Sequence, residues 1–285
     1  MSFEFKVPNY EEIISQQKSY EWYHFLCEYY DVTPDQALEL GTRKFGRKPT
    51  LPGSKTCDPV SDMTFEDIWE LQERETPEQI FQFYKDQGAW STFRQTVRHL
   101  ELAGMHRSVL KIMASPGIHL CEYGCGVAPF STTLLLNCGE DFNIDISISD
   151  VVESEHLYFA EWKLKKIIKE RGLKNVNLYV KPVTANSLPE YHKPIDRFII
   201  FEVLEHVLSP VETITNVVNQ MNPGALYLEN FVKLNMEEMD DPGPDLKSAT
   251  SERAKYYNLI ESNFNLLTSN SDDIDPNGTR IWLKG

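Results

Sequence analysis

Two glycines one residue apart, set directly after an apolar run, restrict this chain more than any other feature. The stretch reads His119-Leu120-Cys121-Glu122-Tyr123-Gly124-Cys125-Gly126-Val127-Ala128-Pro129-Phe130-Ser131. Ile118 and Leu120, with Val109, Leu110 and Ile112 upstream, lead into an acid, and Thr132 to Leu136 can begin a helix. The order is strand, tight turn, helix N-terminus. Glycine lets the backbone turn sharply and approach a ligand closely, while the first N–H groups of a helix have no partner within it. A nucleotide-like ligand is the natural guest. A dinucleotide fingerprint would need a third glycine where Pro129 stands, which disfavours a nucleotide-cofactor oxidoreductase.

Upstream of the turn, residues 9 to 115 read almost entirely as helix. Trp22, Phe25, Leu26 and Tyr29 recur at helical spacing. Thr33-Pro34-Asp35-Gln36 and Thr76-Pro77-Glu78-Gln79 each combine an N-cap threonine, a first-turn proline and a capping-box glutamine. Thr64 to Asp67 is a looser helix start. Ser91 is placed to cap the longest helix, with Phe93, Val97, Leu100, Val109 and Ile112 as core positions, until Ser115-Pro116-Gly117 breaks it. Gly41 to Pro59 reads as a loop carrying Arg43, Lys44, Arg47, Lys48 and Lys55, a basic cluster over 43–55 that suits a solvated loop or a lid over an anionic group.

From residue 118 the pattern changes to short apolar strands alternating with helices, which signals a parallel α/β sheet. Strands are expected at Asn143 to Ser149, Val176 to Val180, Phe198 to Phe201 and Ala225 to Asn230, with helices at Glu155 to Arg171 and Ser251 to Phe264. Two closing strands, Phe264 to Leu267 and Arg280 to Leu283, flank the hairpin signal Asn277-Gly278. The expected division is a helical N-terminal cap or substrate lid over 1–115 and a ligand-binding α/β domain over 116–285.

Glu122-x-Gly124-x-Gly126-x-Ala128 resembles the first motif of class I S-adenosylmethionine (SAM) methyltransferases. Asp196 to Val207, with Phe201-Glu202 and Glu205-His206, resembles the fourth motif of the small-molecule members, and the resemblance spans residues 118 to 285. It implies a seven-stranded, mostly parallel Rossmann-like sheet, five strand–helix steps closed by an antiparallel pair. It also implies SAM as cofactor, S-adenosylhomocysteine (SAH) as product and a small-molecule acceptor. By position, Glu122, Gly124 and Gly126 would hold the methionine end of the cofactor, and Thr184 and Ala185 would line the adenine. Phe201 and Glu202 would flank the methyl group, and Tyr84 and Trp90 would cover the cofactor. Asp150 ends the second strand at close to the roughly 20-residue spacing of a ribose acid, and an acid there can accept from vicinal hydroxyls.

The sulfonium already activates the methyl group, so alignment and exclusion of water are the main catalytic demands. His206 is the candidate base, Glu202 its companion, and Glu229 and Asn230 are placed to orient the acceptor; His24, His99 and His156 read as surface or core residues. Glu202, Glu205 and His206 resemble the ligand set of magnesium-assisted O-methyltransferases of the coenzyme Q type and of those acting on small-RNA 3′ ends. The RNA enzymes add a later histidine and none follows His206 here, so no metal is assigned. The acidic stretch Val232 to Leu246 would roof the acceptor.

A net charge of −15 argues against nucleic acid and anionic membrane as electrostatic partners. No run reaches about 18 apolar residues, and the start lacks a signal-peptide core. Five cysteines without a Cys-x-x-Cys pair fit a reducing, cytoplasmic compartment. A homodimer is left open. The rival readings are a non-catalytic SAM-fold regulator and an RNA 2′-O-methyltransferase.

Overall fold

A computed structural model describes residues 21–42, 69, 71–231, 245–269 and 278–285. The basic stretch 43–55, the helix start at Thr64 to Asp67, residues 232–244 of the acidic loop and Asn277 lie outside the described residues.

The helical part contains α1 (Glu21–Tyr30), α2 (Pro34–Thr42), α3 (Pro77–Glu101) and α4 (Ala103–Met113). Both capping boxes form. Thr33 Oγ1 accepts from the Gln36 N–H while Gln36 Oε1 takes the Thr33 N–H, and Thr76 and Gln79 repeat the exchange. Three details depart from the sequence expectation. Gly41 and Thr42 belong to α2, and a methyl group at Gly41 would lie 2.4 Å from Val97, so close packing of α2 on α3 requires the glycine. Gly88 (φ 55°, ψ −148°) breaks α3 three residues before Ser91, which is therefore buried inside the second half rather than capping it. Ile112 is 47% exposed, because a break at Leu102 separates α4 from α3 and resets the buried face.

The sheet consists of β1 (His119–Tyr123), β2 (Ile144–Ser149), β3 (Val176–Val180), β4 (Ile195–Ile200), β5 (Met221–Glu229), β6 (Phe264–Ser269) and β7 (Arg280–Lys284). Its order is β3-β2-β1-β4-β5-β7-β6, parallel throughout except where β7 runs against both neighbours. This is the seven-stranded, mostly parallel α/β sheet expected. The connecting helices are α5 (Pro129–Asn137), α6 (Glu155–Glu170), α7 (Pro210–Gln220) and α8 (Lys247–Asn263). The step from β3 to β4 departs from the expected pattern: residues 181–194 form no helix, only short bridges at Val183, Thr184 and Ser187.

Alternation along the strands divides the apolar side chains between two layers. Leu120, Ile146, Ile148, Ile199 and Leu228 pack with α1–α6, whereas Cys121, Phe198, Ile200, Tyr227 and Trp282 pack with α7 and α8. The first layer is continuous with Tyr23, Leu26, Ala37 and Phe93 of the helical part. Strand order reverses between β1 and β4, so a crevice opens over the carboxyl ends of these strands. Among the described residues, no helix is long and apolar enough to cross a membrane.

Candidate functional site

The glycine turn is wired from three sides. Gly124 (φ 60°), Gly126 (φ 50°) and Ala128 (φ 50°) all have left-handed backbones, which glycine adopts without the penalty that a side chain incurs. A methyl group at Gly124 would meet Val203 at 2.3 Å, and one at Gly126 would meet Gln95 Oε1 at 2.2 Å. Conformation favours glycine at both positions, and the short Val203 side chain adds a steric demand at Gly124, whereas the Gln95 side chain can swing away from Gly126. From β2, Asp150 Oδ2 accepts the Gly126 N–H at 2.6 Å and Oδ1 accepts the Val151 N–H at 2.7 Å. Beneath the turn, the buried Lys163 of α6 donates to the Val127 carbonyl at 2.5 Å.

Glu122, which the resemblance places at the methionine end of the cofactor, has its carboxylate engaged within the chain. It lines the crevice, but its carboxylate accepts from the N–H groups of Phe130 and Ser131 (3.1 and 2.9 Å) and from Ser131 Oγ (2.5 Å). It therefore closes the N-terminus of α5, whose N-cap residue Ala128 has no capping side chain. The N–H groups that would receive a phosphate are already engaged by an acid. Burial pushes the Glu122 carboxyl up and the Lys163 ammonium down, while each charge partly offsets the shift of the other.

Two adjoining chambers, of about 320 and 300 Å³, lie above the turn and share Tyr84, Gln95, Gly124, Gly126, Glu202 and His206 in their walls. The first is also lined by Asp150, Val183, Thr184, Ala185 and His156, the second by Glu122, Arg94, Arg98, His99 and Phe201. Among the described residues lining the first chamber, Asp150, Glu202 and Glu212 are acids and none is lysine or arginine. Such walls favour a cationic or uncharged ligand over a phosphate.

Neither acceptor candidate, Glu229 nor Asn230, lines this crevice, and of the expected cofactor and base residues the structure brings all but one to it. The exception is Trp90, 1% exposed and in neither wall: the kink at Gly88 turns it into the core, with the Arg94 guanidinium 5.8 Å from its ring. Tyr84 is half-buried, and desolvation of its phenol with the nearby Glu205 and Asp150 charges holds it well above the ordinary range. Thr184 lines the first chamber, but its Oγ1 bonds Ser187 Oγ at 2.7 Å, leaving the local backbone as the ligand-facing surface.

Glu202 has a left-handed backbone (φ 57°), an uncommon state for a residue with a side chain. Its N–H donates to Asn230 Oδ1 at 2.8 Å, Asn230 Nδ2 donates to its Oε1 at 2.5 Å, and Arg98 donates to its Oε2 at 2.6 Å. These bonds tie the exits of β4 and β5 to α3. Glu229 is not available to an acceptor. It is fully buried, bonded to Arg280, Trp282 and the Phe231 N–H. Among the lining residues that escaped the sequence reading are His99, and His156 in the first turn of α6. Their signal was position, since His156 follows the exit of β2 by a few residues and His99 lies one turn past Gln95.

His206 closes a short 3₁₀ turn, Leu204–His206, with its ring edge-on to Trp69 at 5.5 Å and Nε2 3.9 Å from Glu205 Oε1. Glu202, Glu205 and His206 do not share one helical turn, because Glu202 precedes the 3₁₀ turn in its left-handed conformation. Among the described residues, no three His, Cys, Asp or Glu side chains are grouped as for a metal ion.

Burial and the neighbouring Glu202 and Asp245 charges push the Glu205 carboxyl from 4.5 up to about 8. An acid that holds its proton more tightly in the folded chain contributes stability below its unfolded pKa and loses that contribution as pH rises through its folded one. Glu205→Gln should therefore melt close to wild type near pH 5 and above it at pH 8. Calorimetry showing equal or lower melting at pH 8 would contradict the assignment.

No family model and no curated protein matches the chain. Solved structures do resemble it. Magnesium protoporphyrin IX methyltransferase from Synechocystis PCC 6803, with SAH bound, is 14% identical over 67% of this chain and 87% of its own, with a TM-score of 0.45. A putative O-methyltransferase from Nostoc punctiforme PCC 73102 is 10% identical over 68% and 60%, at 0.46. A SAM-dependent methyltransferase from Aquifex aeolicus is 17% identical over 63% and 88%, at 0.41.

Proposed function

We propose that this chain is a SAM-dependent methyltransferase that moves a methyl group to an oxygen or nitrogen of a small-molecule acceptor by in-line displacement. The observation that carries the reading is the convergence of separate strand exits on one crevice. Gly124 and Gly126 come from β1, Asp150 from β2, Thr184 and Ala185 from the β3–β4 connection, and Glu202 and His206 follow β4. The residues fit the cofactor. The glycines leave a cradle that a methyl group would fill, Asp150 is fixed beside it, and acid-rich walls suit a sulfonium. Closure of the α5 N-terminus by Glu122 counts against a dinucleotide.

When bound, SAM supplies a methyl group already activated by its sulfonium. The protein's contribution is alignment and exclusion of water. In this reading Asp150 holds the ribose and the 184–185 backbone the adenine. Tyr84, on α3, covers the cofactor, Phe201 and Glu202 flank the transferring methyl, and the second chamber admits the acceptor. His206 takes the acceptor's proton on a ring nitrogen. Residues 1–115 act as the cap, consistent with Tyr84, Gln95 and Arg98 lining the chambers, and 116–285 as the cofactor domain.

Turnover tests this directly. Radiolabelled SAM with a panel of small carboxylates and phenols should yield SAH and a labelled product. His206→Ala should slow that turnover about a hundredfold with SAH affinity unchanged, in the range general bases contribute. Full activity in His206→Ala would remove the assigned base.

A further inference from the structure

The two chambers differ in charge. No lysine or arginine is among the described residues lining the first, whereas Arg94 and Arg98 of α3 both line the second. They stand four residues apart on one helix and so share a face, and like charges at that spacing destabilise a helix unless an anion lies near them. The acids of the second wall are mostly committed elsewhere. Glu122 accepts from Phe130 and Ser131, and Asp245 accepts from Arg253 at 2.6 Å. Burial and the neighbouring Glu202 and Asp245 charges leave the Glu205 carboxyl protonated at pH 7, and burial keeps the His99 ring neutral. Among these acids Glu202 alone meets Arg98, its Oε2 accepting from Nη2 at 2.6 Å.

That bond uses one donor of a guanidinium that has five. Arg98 makes no other hydrogen bond among the described residues, and its side chain is 51% exposed, so its remaining N–H groups are open to a ligand in the chamber. A guanidinium holds a carboxylate through a planar fork, more strongly than it holds a neutral group. Its partner Glu202 flanks the transferring methyl in the reading above, and His206 lines the same chamber. We propose that Arg98 determines specificity for the acceptor, a hydroxy or amino carboxylate whose carboxylate pairs with Arg98 beside Arg94. The carboxylate is a handle, and the hydroxyl or amine is the atom methylated. The methyl carbon exchanges its bond to sulfur, which keeps the electron pair, for one to that oxygen or nitrogen, and His206 takes the displaced proton. This rests on the SAM reading, with the second chamber as the acceptor's.

Turnover of the full chain with radiolabelled SAM tests this, using 3-hydroxybenzoate, 4-hydroxybenzoate, anthranilate and lactate, each beside its primary amide. Wild type should methylate at least one carboxylate with kcat/KM about tenfold or more above that of its amide, the scale of a hydrogen bond to a charged group. Arg98→Gln should bring that ratio to within about threefold of one, mainly through the KM of the carboxylate. A merely structural role through Glu202 would lower both substrates alike and leave the ratio as it was. Arg98→Lys, which keeps the charge without the fork, should hold an intermediate ratio. Calorimetric titration of Arg98→Gln with SAH, and with 5′-methylthioadenosine, which lacks the amino-acid end, should show both within about threefold of wild type. A tenfold loss for SAH with none for 5′-methylthioadenosine would assign the guanidinium to the cofactor's own carboxylate and overturn the proposal. So would a wild-type ratio near one, an unchanged ratio in Arg98→Gln, or methylation of none of these carboxylates by protein that binds SAH. Each of these leaves the SAM reading standing, whereas wild type that binds no SAH would remove both together.

Discussion

Asp150→Ala should weaken SAH binding by about a hundredfold, or about 3 kcal/mol, because hydrogen bonds to a charged group contribute about 1.5–3 kcal/mol each and two ribose hydroxyls lose theirs. The carboxylate also fixes the turn, accepting from Gly126 and Val151 at 2.6 and 2.7 Å. Alanine leaves both N–H groups without that acceptor, so a modest loss of stability accompanies the loss of affinity. Asp150→Asn separates the two effects: its amide oxygen can still serve one N–H, whereas its charge is gone. Paired titrations and melts of wild type and both variants check the claim. An Asp150→Ala protein within threefold of wild-type affinity would remove Asp150 from the ligand's surroundings.

Glu229→Ala should be the more damaging change to the fold. Its fully buried carboxylate receives Arg280 Nε and Nη2 at 2.7 and 3.1 Å, Trp282 Nε1 at 2.9 Å and the Phe231 N–H at 2.7 Å. Removing one partner from a buried ion pair costs about 3–5 kcal/mol, since the other charge is left uncompensated. In a domain of this size that corresponds to roughly a 10 °C fall in melting temperature. Arg280→Ala should cost a similar amount, and the double variant clearly less than the sum. Additive losses would show that the two side chains act separately.

The sequence reading reached furthest where local chemistry is decisive. Gly124 and Gly126 need left-handed backbones, and an apolar run before them and a helix after them leave few alternatives. Parallel pairing then puts residues at strand exits on one side of the sheet, which is why Asp150 could be named without knowing a single contact, whereas Thr184 and Glu202 came from the resemblance. What was not legible depends on partners distant in the chain. Glu229 looked available for an acceptor because its partners, Arg280 and Trp282, lie 51 and 53 residues away and meet it only through the β5–β7 register. Trp90 was named as a cover from the resemblance alone, and the direction in which the break at Gly88 turns it, into the core, is set by the packing. That the Glu122 carboxylate caps the helix beyond the turn was not legible, because an acid just before a glycine turn does not announce it. His156 read as a surface or core residue, and only the packing of α3 on α6 sets it beside the first chamber.

The central claim, that the crevice over β1 and β4 binds SAM, is tested most directly by titrating the purified wild-type chain with SAH in a calorimeter. Saturable one-to-one binding in the micromolar range is the predicted result. No heat of binding up to millimolar SAH, from protein shown to be folded, would contradict the account.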